Sequence, residues 1–181
     1  MAKRPLPAID RSRSEFGYFR TVCACAACVR NCRHMPGYLI PADLERLRLQ
    51  LAAGEDLLDW ARKHLLASPG AKVAQGGRVF RIRTLVPARR PDGACTFLTE
   101  QDRCGIHAVA PFGCAFFDMH MADAEANRRS CRGLQAIREA WIHGGLYAQL
   151  WLALHNEGRR APPPEVCREQ LRQARARRKP R

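Results

Sequence analysis

Polar and apolar positions alternate with two different periods along this chain. After Pro41-Ala42-Asp43, leucines recur at 44, 47 and 51, with Leu49 half a turn off. That spacing predicts an amphipathic helix stopped by Gly54, with proline and an acid suited to its first turn. Leu57, Leu58, Ala61, Leu65 and Leu66 predict a second helix over about 55–67, ended by Ser68-Pro69-Gly70. The period then changes. Phe80, Ile82 and Thr84 alternate with Arg81 and Arg83, which predicts a half-buried strand over 78–86 after the Gly76-Gly77 turn. Residues 94–98 read as a second short strand, and 104–107 as a further turn or strand. The stretch 108–121, with Pro111 and Gly113, reads as a short helix or a loop. Leu134, Ile137 and Trp141, then Leu146, Leu150, Trp151 and Leu154, predict helices over about 132–143 and 145–157. Beyond Pro162-Pro163-Pro164, residues 165–178 read as an exposed helix or a solvated tail. The expected fold class is α+β: a small helix-rich single domain with a few short strands and irregular cysteine-bearing loops. Its expected divisions are an N-terminal arm (1–20), a cysteine-rich domain (21–160) and a basic tail (161–181).

Composition changes this picture little. The chain has 181 residues, 46% hydrophobic and 27% charged, which suits one packed domain and excludes fibrous and membrane classes. The longest apolar runs, such as Leu150–Leu154, are too short to span a bilayer. The polar, basic opening with Pro5 and Pro7 lacks the apolar core of a secretory signal. The expected location is therefore the cytoplasm, where thiols stay reduced. The net charge of +14 raises the possibility of an acidic or nucleic-acid partner. No aromatic-rich strand or groove-reading motif accompanies it, and much of the excess lies in the tail.

The nine cysteines change the picture most. Four fall within ten residues, at 23, 25, 28 and 32, and three more stand at 95, 104 and 114. Thiolate sulfur suits zinc, iron–sulfur clusters and Cu(I). Cys25-x2-Cys28 brings two sulfurs to one ion through a tight turn. Cys32 joins them if the segment winds into a helical turn, and Cys95, Cys104 and Cys114 supply the distant ligands. Closing so long a loop costs entropy that grows only logarithmically with length. These thiols outnumber the ligands of one tetrahedral zinc, but suit an iron–sulfur cluster or two metals sharing thiolates. The expected metal ligands are thus Cys25, Cys28, Cys32, Cys95, Cys104 and Cys114, with Cys23 the weaker candidate. Cys131 and Cys167, outside both sets, read as small buried hydrophobes.

The segment from Cys25-Ala-Ala-Cys28-Val-Arg-Asn-Cys32 through Pro41-Ala-Asp43 resembles the opening of the YkgJ-type cysteine-cluster family, described as a zinc- or iron-chelating domain. The second segment, Cys95-Thr-Phe97-Leu98 with Arg103-Cys104-Gly-Ile106-His107 and Pro111-Phe-Gly-Cys114, resembles its other half. Together they cover about residues 23–118. Two departures stand out. Ala110 replaces the arginine usual before the proline, and the opening cysteines are spaced differently from the adjacent-cysteine form. A related domain occurs in flagellin lysine methylases, so the resemblance also implies a protein-modifying enzyme as an alternative function.

Other side chains offer less. His34 and His107 lie beside cysteines and can ligate or titrate, as can His120 and His143. Asp118, His120 and Asp123 have the letters of a proton relay or of a polar loop. The function this sequence implies is that of a cytoplasmic metal-binding protein holding an iron–sulfur cluster or zinc through two cysteine sets. The alternatives are the methylase-like enzyme and a nucleic-acid-binding zinc module.

Overall fold

An antiparallel hairpin, β1 (Leu65–Gln75) paired with β2 (Arg78–Pro87), forms the backbone of the computed structural model. Residues 18–176 are described, except 22, 24, 52, 53 and 76; the expected arm, with Phe16, therefore lies almost wholly outside the described residues, as does the end of the tail. Around the hairpin stand α1 (Ala26–His34), α2 (Pro41–Leu51), α3 (Leu57–His64), the single turn α4 (Phe112–Ala115), α5 (Asp123–Ile142), α6 (Leu146–Asn156) and α7 (Pro164–Ala176). The architecture is the expected α+β class. Among the described residues no helix is long and apolar enough to cross a membrane.

The helix expected over 55–67 is shorter, and the strand after it was not foreseen. Asp56 caps α3, its carboxylate accepting from the N–H groups of Leu58 (2.8 Å) and Asp59 (3.2 Å). The helix stops at His64 because Leu65 pairs with Pro87 at the base of the hairpin. Leu65 and Ala67 are buried there, so pairing with β2 overrides a helical pattern that continued through Leu66. Ser68-Pro69-Gly70 is a bulge inside β1 rather than a stop. Gly70 has φ +77°, and a Cβ there would lie 1.7 Å from the Ile82 carbonyl oxygen. Glycine alone tolerates both conditions.

α6 packs against the hairpin and buries Tyr147, Leu150, Trp151 and Leu154. The Tyr147 hydroxyl donates to the Leu39 carbonyl (2.8 Å) and accepts from the Leu85 N–H (2.7 Å). The Trp151 indole donates to the Ser68 carbonyl (2.9 Å), satisfying the backbone at the bulge. α5 starts at Asp123, nine residues before the expected start at about 132, with Asp123 and Glu125 in its first turn.

Residues 88–110 run without a regular strand. The strand expected over 94–98 is reduced to isolated bridges, Arg89 with Cys95 and Leu98 with Cys104. A 3-10 turn at His107–Val109 leads into α4, so the 108–121 stretch is partly helical. The solvated tail is also corrected as far as it is described. Residues 164–176 form α7, which packs on α1 and β1 with Cys167 and Leu171 buried. Arg81 donates to Glu165 at 3.0 Å, tying the start of α7 to the hairpin.

Candidate metal centre

α1 is where the thiol spacing becomes geometry. Cys25 is its N-cap, with extended backbone at φ −66° and ψ 161°. Cys28 and Cys32 follow at intervals of three and four, so all three fall along one face of the helix. The helical turn expected to bring Cys32 into line is therefore present as a nine-residue helix.

Four ligand atoms meet at the N-terminal end of that face. The sulfurs of Cys23, Cys25 and Cys28 and a ring nitrogen of His120 all lie within 4.8 Å of one another. Cys25 Sγ is 3.2 Å from His120 Nε2. The helix end also presents free N–H groups to the sulfur. The Cys28 backbone N–H, first, and then His120 hold the Cys25 thiol down to about 6. The same contact raises the His120 pKa, Cys25 being the main cause. The contact favours a Cys25 thiolate hydrogen-bonded to the His120 ring, so a cation bound by both would displace the ring proton between them. Cys28, less exposed, behaves oppositely: burial pushes its thiol up to about 12, against the opposing contact from the Met119 N–H, 3.5 Å away. An ion seated here must displace that proton.

His120 comes from the loop after α4, and Asp118 shapes that loop. Its carboxylate accepts from the His120 N–H (2.8 Å) and from the Thr21 hydroxyl (2.9 Å). Thr21 in turn accepts from the Cys23 N–H at 3.3 Å. One carboxylate thus ties the His120 loop to the segment carrying Cys23. Burial of Asp118 works against its charge, but the contacts from His120 and Thr21 prevail and its pKa falls. Asp118 bonds the backbone of His120 rather than its ring, which makes it a scaffold for the ligand loop instead of a relay member. Asp123 stands apart in the first turn of α5.

Cys23 and His120 were the least expected members. Cys23 departs from the motif spacing, and His120 lies 92 residues beyond Cys28 with no cysteine beside it. Its only signal was the pair of Asp and His letters in a polar loop. The group draws nothing from Cys32, Cys95, Cys104 or Cys114. Those four thiols belong to the other end of α1, where Cys95 is buried and the others are half-buried. Neither His34 nor His107 belongs to the group of four ligand atoms. Burial, with Arg89 beside His34 and Arg20 beside His107, lowers the pKa of both rings. Cys167 is buried as expected, its sulfur 3.0 Å from the Arg89 guanidinium, whereas Cys131 is exposed on α5 rather than buried.

No family model, curated protein or solved structure matches the chain.

Proposed function

We propose that this protein binds a single soft or borderline cation, zinc being the best fit, through Cys23, Cys25, Cys28 and His120. The observation that carries this reading is the convergence of three sulfurs and one imidazole nitrogen within 4.8 Å. Tetrahedral zinc with bonds near 2.3 Å to sulfur spaces its sulfurs by about 3.8 Å, inside that limit. Three thiolates and an imidazole also form a common zinc donor set, and the lowered Cys25 thiol supplies a ligand already deprotonated at neutral pH. Cys25 and His120 are both exposed, so the ion would lie open to solvent and to competing thiols. That suits metal handling better than a buried structural role. The resemblance to the YkgJ-type chelating domains supports the same reading, and reduced thiols at this density fit the cytoplasm.

Cobalt(II) titration of the reduced full chain tests it. Thiolate-to-cobalt charge-transfer absorption should saturate with zinc-displaceable stoichiometry in the wild type. It should weaken in both His120→Ala and Cys25→Ser. Unchanged titrations in both variants would overturn the site.

A further inference from the structure

α1 has a second face, turned about 100° from the thiols. Ala26, Val29, Arg30 and Arg33 recur along it at intervals of three and four. This face is one wall of a groove of about 570 Å³, which the turn at 101–103 and Ala174 of α7 complete. Small-molecule sites occupy roughly 300–1,000 Å³.

The other two walls are held in place by bonds within the fold. The Asp102 N–H donates to the Thr99 carbonyl at 3.1 Å, and the Thr99 N–H to the Arg103 carbonyl at 2.8 Å, which closes the turn. Asp102 takes the left-handed region there, with φ 58°, a conformation that aspartate tolerates better than most residues. Its carboxylate accepts from Arg33 and so ties the turn to α1. α7 packs on α1 and brings Ala174 to the groove.

The charge in this groove is unbalanced. Arg30, Arg33 and Arg103 set three guanidiniums in the lining against one carboxylate, Asp102. Arginines on other helices are neutralised within their own helix: Arg46 by Asp43, Arg129 by Glu125, Arg172 by Glu169. α1 holds no acidic residue, so its arginines lack that recourse. Among the described residues, neither Arg30 nor Arg103 has an acidic partner, and Asp92, which acts on Arg33, is bonded to Arg90. The Nε of Arg30 is buried and has no hydrogen-bond partner among those residues. A buried donor left unpaired lowers stability, so an acceptor that reaches it is bound favourably. The lining is not polar throughout. Ala26, Val29 and Ala174 offer an apolar strip, and Val29 rests on the buried Ala94–Cys95–Leu98 cluster.

We propose that this groove binds a small phosphate monoester, with its phosphate held by Arg30 and Arg103 beside Arg33 and its organic body against the apolar strip. Three guanidiniums less one carboxylate leave two positive charges in the lining, which matches the roughly −1.5 to −2 of a phosphate monoester at neutral pH. Guanidinium forks bond phosphate oxygens in pairs. The groove shares no residue with the Cys23, Cys25, Cys28 and His120 group, so its test is separate from that of the cation site.

The test is titration of the isotope-labelled full chain with phenyl phosphate, followed by amide chemical shifts at constant ionic strength. Saturable shifts are expected across 26–34 and 100–103. Inorganic phosphate should move the same residues and bind more weakly, since it lacks the apolar body. Arg103→Gln should weaken phenyl phosphate binding at least about tenfold, as should Arg30→Gln. Arg30 is partly buried and its variant can disturb α1; Arg103 is exposed, so its variant decides. Arg138→Gln, exposed on α5, removes the same charge and should leave Kd within about twofold. No saturation by about 10 mM phenyl phosphate overturns the site. Equal weakening by Arg138→Gln reduces the effect to net charge and also overturns it. Shifts centred on 118–121 place the anion at the cation end, with the same consequence. Succinate bound as tightly as phenyl phosphate overturns the phosphate assignment.

Discussion

The two ends of α1 carry the same residue in opposite environments. At the N-terminal end, Cys25 is exposed and its thiol sits at about 6, held there by the helix amides and His120. Toward the C-terminal end, burial pushes Cys32 up to about 11 and Cys95 to about 12, and holds Cys114 well above the ordinary thiol value. Cysteine identity therefore says little about reactivity. Position relative to the free N–H groups of a helix, and distance from water, decide it. The exposed end can bind and release; the buried end is tied into the backbone of three segments.

Four experiments break or sharpen this contrast. The largest effect belongs to the glycine contact that seats Cys114. Gly37→Val or Gly113→Val would force side-chain atoms into backbone 2.1–2.3 Å away. Either should destabilise the fold by more than about 4 kcal/mol, measured by urea unfolding. A loss below about 1 kcal/mol would mean the inner end is loosely built.

Next comes the bracing of α1 by α7. Deleting residues after Arg160 removes buried Cys167 and Leu171 and uncovers the helix. The expected cost is about 3 kcal/mol from burial. That corresponds to a fall in Tm of about 6–12 °C for a domain of this size. No change in Tm would restore the picture of an inert tail.

A smaller effect is expected from His120→Ala. The side chain is exposed, so stability without metal should move by less than about 0.5 kcal/mol. Zinc affinity, read by competition with a chromogenic chelator, should fall at least about tenfold, since a ligand is lost outright. A matched loss of stability would show His120 to be part of the core.

The finest distinction is kinetic. With metal removed, iodoacetamide should alkylate Cys25 first, as mapped by mass spectrometry. Thiolate forms as pH rises through the pKa, so the Cys25 rate should climb up to about pH 6 and then level off. Cys32 and Cys95 should react slowly and still be accelerating at pH 9, below their values of about 11 and 12. A Cys25 rate that keeps rising tenfold per unit above pH 7 would place its thiol with the ordinary ones.

Much of the molecule was legible in the linear chain, and the reasons differ by element. Leu44 and Leu47 gave α2, and both are buried; Leu49, half a turn off, is exposed. Leu150, Trp151 and Leu154 gave α6 and its buried face. The clustering of thiols pointed to metal, and the three-and-four spacing of Cys25, Cys28 and Cys32 put them on one helix face. These are local facts, set by the period of the helix and the chemistry of sulfur. β1 was not legible, because Leu65 and Leu66 extend a helical pattern and only pairing with β2 makes them a strand. The α7 helix was one of two readings of the tail, but its docking was not legible: it rests on two small contacts, Cys167 and Leu171, that acquire a partner surface only once α1 and the hairpin are in place. Above all, the sequence could not say which thiols go together. Cys28 and Cys32 are one turn apart on α1, yet only Cys28 meets His120. That division is made by the Asp118 loop, which bonds Thr21 from 97 positions away, and by the Gly37–Gly113 contact, which joins two further segments distant in sequence. Spacing fixes where a side chain stands on its own element; only packing between elements decides what stands opposite.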